Sequence, residues 1–147
     1  MKRRVLKFGG SSVADFTKIK NIAEMLKRRV DDGEQLIVVV SAMGKTTDQL
    51  MENVSHLTTT PKDEELALLL TTGEQQTVSY LSMVLNDIGV SARAMTGYQA
   101  GIKTVGHHLK SRIAEINPET FNKEFKDKDV LVVAGFQGVN DELELTT

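Results

Sequence analysis

Four segments of this 147-residue chain carry side chains suited to holding a charged small molecule. The run KFGGSSV, Lys7 to Val13, sets an ammonium group beside two glycines and two hydroxyls. Glycines after a strand let backbone N–H groups come close to anionic oxygens, so Gly9, Gly10, Ser11 and Ser12 offer amide and hydroxyl donors and Lys7 a point charge. The plainer alternative is a tight turn next to a surface lysine. In SAMGKTTD, Ser41 to Asp48, the Gly-Lys-Thr triplet invites comparison with a P-loop, but that loop needs a glycine where this chain has Val39. What remains is Ser41, Thr46 and Thr47 as hydrogen-bonding groups for a small ligand, with helix capping by either threonine as the structural alternative. In TTGEQQT, Thr71 to Thr77, the spacing puts Glu74 in the first turn of a helix, where the macrodipole favours a carboxylate by roughly 0.3–1 kcal/mol. The other reading has Glu74 pairing with a ligand ammonium. AGFQGV, Ala134 to Val139, adds a second Gly-rich turn around Gly135.

Strands and helices must bring these segments together. Leu36 to Val40 and Val130 to Ala134 are valine-rich runs bounded by polar or glycine residues, the pattern of strands buried on both faces in a parallel sheet. Val5 to Phe8, ending in Gly9-Gly10, reads as a third strand. Between them Phe16, Ile19, Ile22, Ala23, Leu26 and Val30 repeat at helical spacing, with Asp15 as N-cap and Gly33 at the C-terminal stop. Strand, turn, helix, strand defines a βαβ unit, and the class is α/β. A helix follows with Leu50, Met51, Val54 and Leu57 on one face, broken by Thr58-Thr59-Thr60-Pro61. Lys62 to Ile88 reads as helix in two pieces, jointed at Thr71-Thr72-Gly73 and stopped by Gly89. A strand at Ala92 to Met95 leads into a Gly-punctuated excursion from Gly97 to Gly106. Then come a strand over Ser111 to Ile116, a short helix over Pro118 to Phe125, and alternation from Leu143 to Thr147 that suggests a strand running into the chain's end. If the strands are parallel, all four chemical segments converge on one edge of the sheet.

Composition removes other classes. Eighteen Lys and Arg against 20 Asp and Glu, with seven aromatics (five Phe, two Tyr), give neither a basic footprint nor a stacking platform, so no nucleic acid partner is expected. Zero Cys excludes thiol nucleophiles and zinc ribbons and fits a reducing, cytoplasmic setting. The longest apolar runs are five residues, against roughly 20 for a bilayer span, so no membrane partner is expected. Lys7 interrupts the apolar residues after Met1-Lys2-Arg3-Arg4, so that start does not read as a signal peptide. His56, His107 and His108 lack metal-ligand spacing and read as solvated or satisfied. The methionines read as core filler.

In these motifs the chain resembles the aspartokinases of the amino-acid kinase superfamily. KFGGSSVAD, VVVSAMGKTTD, TTGEQQTVS, TGYQAGIKT and VVAGFQGV stand at Lys7, Val38, Thr71, Thr96 and Val132 in the family's order. The resemblance implies a three-layer αβα sandwich with a mainly parallel central sheet. It also implies transfer of the γ-phosphoryl of ATP, with Mg2+, to the side-chain carboxylate of L-aspartate, which feeds lysine, threonine, methionine and diaminopimelate synthesis. On the matching positions it makes Lys7 the group that bridges the transferring phosphoryl, and Gly9, Gly10, Ser11 and Gly135 the lining of the phosphate turns. Ser41 and Thr47 contact aspartate, and Glu74 holds its amino group. No protein ligand to a metal is implied.

The family continues past the Thr146-Thr147 pair into a GRGGSD segment, a nucleotide-binding half and ACT domains. Residues 1–147 are therefore expected to be an N-terminal, amino-acid-binding lobe, inactive alone and self-associating as a homo-oligomer. A non-catalytic binding or assembly lobe, and a kinase for glutamate, acetylglutamate or a nucleotide, are the competing readings.

Overall fold

The computed structural model describes residues 1–147. In chain order it contains β1 (Lys2–Phe8), a 3-10 turn (Gly10–Val13), α1 (Phe16–Asp31), β2 (Glu34–Val40), α2 (Thr46–Ser55), α3 (Asp63–Asp87) and β3 (Ala92–Met95). It continues with β4 (Ile102–His107), β5 (Lys110–Ile116), α4 (Pro118–Glu124), β6 (Val130–Ala134), β7 (Gly138–Val139) and β8 (Leu145–Thr146). The main sheet runs β1-β2-β6-β3, every pair parallel, with Val38 opposite both Leu6 and Val132. Parallel neighbours require crossovers, and the crossover helices bury both faces of the central strands. Ile19, Ala23 and Leu26 of α1 and Val78, Leu81 and Leu85 of α3 pack on Leu36, Val38, Val130 and Val132. On the opposite face Phe121 and Phe125, at and just beyond α4, pack with Leu131 and Val133. The α/β class and the layered, parallel architecture are those expected from the sequence.

Local signals at α1 hold in detail. The Asp15 carboxylate accepts a hydrogen bond from the Lys18 N–H at 2.8 Å, and Gly33 follows the helix at φ +89°. That is the side-chain cap and left-handed exit that helix ends favour.

Elsewhere the structure corrects the sequence reading. The joint expected at Thr71-Thr72-Gly73 does not exist, since α3 runs unbroken from Asp63 to Asp87. The Thr71 and Thr72 hydroxyls donate to the Leu68 and Leu69 carbonyls at 2.8 and 2.6 Å, so both are satisfied inside the helix. Gly73 serves proximity, because a Cβ there would lie 2.9 Å from the Ala42 Cβ. Helix α2 buries none of its residues fully, ends at Ser55, and leaves Met51 44% and Leu57 86% exposed. The expected apolar face is therefore only half covered, with α3 its main support. Neither threonine caps α2: Lys45 is the capping residue, and the Thr46 hydroxyl donates to the Met43 carbonyl at 2.7 Å.

The excursion from Gly97 to Gly106 leads into strand β4, which ends one residue beyond it and pairs antiparallel with β5 in a second sheet of order β5-β4-β7-β8. The terminal strand is only Leu145–Thr146, because Leu143 takes φ +64° and the Asn140 side chain accepts from the Glu142 and Glu144 N–H groups. Met95 is buried with Leu131 and Val133, Met25 and Met43 pack on the core of the opposite sheet face, and Met51 and Met83 are exposed.

The Gly73–Ala42 approach leads to a paired expectation. Gly73→Val forces a β-branched side chain into that contact and should destabilise the fold by about 1–3 kcal/mol. Gly9→Ala, at φ −75° with nothing within 4 Å of the added Cβ, should leave stability nearly unchanged. Urea-unfolding midpoints of the two variants make the comparison.

Candidate functional site

The carboxyl ends of β1, β2 and β6 open into one cleft of about 520 Å³. Lys7 near the end of β1, Gly10 in the turn after it, Ser41, Ala42 and Gly44 after β2, Thr47 in α2, Glu74 in α3, and Gly135 and Phe136 after β6 line it. The convergence expected from a parallel sheet is therefore present. Six of the sequence-predicted site residues meet here: Lys7, Gly10, Ser41, Thr47, Glu74 and Gly135. Gly9 and Ser11 belong to the same turn as Gly10 but do not line the cleft.

Backbone hydrogen bonds clamp the turns to one another. The Ser41 N–H donates to the Phe8 carbonyl at 3.1 Å, Gly44 N–H to Gly10 at 3.0 Å, and Gly135 N–H to Val40 at 2.9 Å. The packing leaves no room for side chains at two of these places. A Cβ on Gly10 would meet the Ala42 carbonyl oxygen at 3.1 Å, and one on Gly135 would meet the Val40 oxygen at the same distance.

Glu74 differs most from its expected setting. It sits in the middle of α3, not in a first turn, and is 2% exposed. The helix N-terminus therefore cannot account for it. One carboxylate oxygen accepts from the Ala42 N–H at 3.3 Å; the other is buried with no hydrogen-bond partner. Desolvation by burial pushes the Glu74 pKa up, against the opposing effect of N–H groups of its own backbone and of Ala42. Across the cleft the Lys7 ammonium forms no ion pair or hydrogen bond within the chain. An orphaned acceptor and an uncommitted cation on one cavity suit a ligand carrying both an ammonium and anionic oxygens.

Besides Val39 of β2, which also lines the cleft, sequence reasoning missed three contributors. Ala42 enters through its backbone N–H, which no side-chain pattern reveals. Gly44, at φ +51°, is a turn glycine whose place in the cleft depends on its bond to Gly10. Phe136 holds φ +58°, a region rare for a bulky residue, so the motif gave no warning of it. A second, mainly apolar cavity of about 430 Å³ lies between the two sheets and shares Val39, Gly135 and Phe136 with the cleft. The histidines stand apart: His107 pairs with Asp63 and His108 with Glu144, each at 2.7 Å. No group of three or more His, Cys, Asp or Glu side chains is placed to hold a metal ion, and no helix is long and apolar enough to cross a membrane.

A parallel sheet whose glycine turns frame one charged cleft defines the class. The amino acid kinase family matches residues 2–147, and the chain belongs to it. An aspartokinase of Bacillus sp. (strain MGA3) is 43% identical over 143 residues, covering 97% of this chain and 35% of the relative. The crystal structure of aspartate kinase from Synechocystis superposes with a TM-score of 0.78 at 38% identity, covering 100% of this chain and 24% of that one. E. coli aspartokinase III, in complex with aspartate and ADP, gives 0.80 at 18% identity over 100% of this chain and 43% of its own, a likeness of fold. The chain thus spans about a third of the length of the curated relatives it matches.

The orphaned carboxylate sets a pH dependence. Since burial raises its pKa, folded Glu74 keeps its proton to higher pH than the unfolded chain does. The stability this group contributes is full below the ordinary glutamate pKa and is lost as pH rises through the raised value. Glu74→Gln removes that loss, so the variant should gain on the parent chain as pH climbs from about 4 toward neutrality. Urea midpoints measured along that pH series would expose the opposite trend.

Proposed function

We propose that this chain is the amino-acid-binding lobe of an aspartate kinase, an enzyme that transfers the γ-phosphoryl of ATP to the side-chain carboxylate of L-aspartate. The observation that carries the reading is the buried, unpartnered Glu74 oxygen on the same cleft as the unpaired Lys7 ammonium. An aspartate ammonium would complete the hydrogen bonding of Glu74. Ser41 and Thr47 would supply hydroxyls to its carboxylates. Gly10 and Gly135 would let backbone come close to the phosphoryl group, with Gly9 and Ser11 completing the first turn.

The chemistry asks little more of the protein. An acceptor carboxylate with a pKa near 3.9 is ionised at neutral pH, so no general base is needed. Phosphoryl transfer rests on positioning and charge neutralisation, and Lys7 would offset the repulsion between the attacking anion and the polyanionic donor. Mg2+, when bound, supplies further neutralisation of phosphate charge. This chain offers it no cluster of side-chain ligands, so its own residues act by orienting aspartate and by the Lys7 charge.

The chain spans a third of its relatives, which supports the proposal that it binds but does not turn over. L-Aspartate should titrate onto the isolated chain with an affinity that Glu74→Ala lowers at least about tenfold, the loss of a charge-assisted bond. No ADP should be released in a coupled assay with ATP and aspartate. Turnover by the chain alone would overturn the incompetence; undiminished binding by the variant would overturn the role of Glu74. A kinase for glutamate or acetylglutamate would instead prefer those ligands in the same titration.

Strand β1 is an edge of the main sheet with one side unpaired and most of its residues exposed. Open edges pair with further strands. Self-association in the cytoplasm belongs to the same proposal, and light scattering at high concentration should give a mass above 16.2 kDa.

A further inference from the structure

We infer that Gln137 is a positioning residue whose carboxamide sets the width of the cleft between the Glu74 helix and the Gly135–Phe136 turn, and through it the length of acidic amino acid admitted. The inference rests on the amino-acid-binding reading for its ligand and on geometry for its mechanism. Gln137 is 7% exposed and both ends of its side chain are engaged. Its Nε2 donates to the Thr71 carbonyl of α3 at 3.0 Å, and its Oε1 accepts from the Gly97 N–H at 3.1 Å.

Each contact bears on the cleft. Thr71 lies three residues before Glu74 on an unbroken helix, so a shift at Thr71 is carried about one turn along to the carboxylate. On the other side, Gln137 directly follows Phe136, which lines the cleft at φ +58°. A bulky residue keeps such a backbone only where its neighbours over-determine it. Gly97 completes the lock, because a Cβ there would stand 2.6 Å from the Gln137 carbonyl oxygen, so only glycine lets that loop press against the turn. Gln137 therefore joins the helix that presents the orphaned acceptor to the turn that forms the opposing wall. No main-chain hydrogen bond joins the helix to the turn, and the Gly135 N–H is spent on Val40 of β2.

Aspartate and glutamate differ by one methylene, and a pocket of fixed width discriminates such a pair by roughly 10–200-fold. A wall freed to move loses part of that discrimination. A residue that served packing alone would, when replaced, weaken both ligands equally.

The test compares Gln137→Met, which keeps length and volume but neither hydrogen bond, with Gln137→Glu, which keeps the acceptor for Gly97 and loses the donor to Thr71. Calorimetric titration of the chain with L-aspartate and L-glutamate gives the affinity ratio. Carbon-13 NMR of the Glu74 carboxyl gives its titration without any ligand. The expected result is a ratio narrowed at least about fivefold in both variants, with Glu74 titrating closer to the ordinary glutamate range as water enters the cleft. Equal weakening of both ligands with an unmoved Glu74 titration would overturn the inference. If the unmodified chain bound neither amino acid, the functional reading would fail on its own account, and the Glu74 titration would still decide whether Gln137 holds the helix in place. Should Gln137→Met fail to fold, Gln137→Glu carries both measurements.

Discussion

The site depends on how closely helix α3 approaches the end of strand β2. At Gly73 there is no side chain, and the Ala42 methyl occupies the space one would have filled. That approach lets the next residue, Glu74, receive the Ala42 N–H while its other oxygen is shut away from water. A carboxylate held this way is costly, because burial penalises its charge and the backbone donors compensate only in part. The cost is tolerable if the missing partner is a cation that arrives with a ligand. Depth of burial thus makes an ordinary helix residue one that would favour a positively charged partner.

Glycine recurs around the cleft for the same reason. Gly10 abuts the Ala42 carbonyl, Gly135 the Val40 carbonyl and Gly73 the Ala42 methyl. Larger residues would push β1, β2, β6 and α3 apart, and the floor of the cleft would cease to be backbone. None of these three glycines lies at positive φ, so what selects glycine there is space rather than conformational freedom. Gly44 and Gly33 are the converse, glycines at positive φ whose surroundings are open or loose.

How far the sequence revealed this follows from which interactions are local. The buried strands β2 and β6 were legible as valine runs, and α1 was legible from spacing, its Asp15 cap and its Gly33 exit, because each signal lies within one element. The continuity of α3 was hidden. Two threonines followed by glycine look like a break until their hydroxyls are seen to bond back to carbonyls three residues earlier and the glycine to face another loop. Strand β4 was hidden because its residues alternate weakly and several face solvent. In the site, Lys7, Gly10, Ser41, Thr47, Glu74 and Gly135 were readable as residue types suited to a charged ligand, and the parallel sheet brought them together. The state of Glu74, the Ala42 amide, the backbone of Phe136 and the bridge made by Gln137 depend on contacts across the sheet, which spacing along the chain does not encode.

Under the proposed function, the two charges of the cleft would also explain why so few side chains suffice. Lys7 stands near the end of the edge strand β1 and is exposed, while Glu74 is enclosed by helix and loop, so the cleft is closed at its acidic end and open at its basic end. A zwitterion entering it would lose hydration first where its ammonium binds. Its far carboxylate would remain toward the mouth, beside the lysine and the glycine turns of β1 and β6. Under the proposed function such an arrangement would fix orientation by burial at one end and leave the other end, beside the unpaired edge of β1, reachable by a second, polyanionic substrate, so that catalysis would rest on positioning and electrostatics.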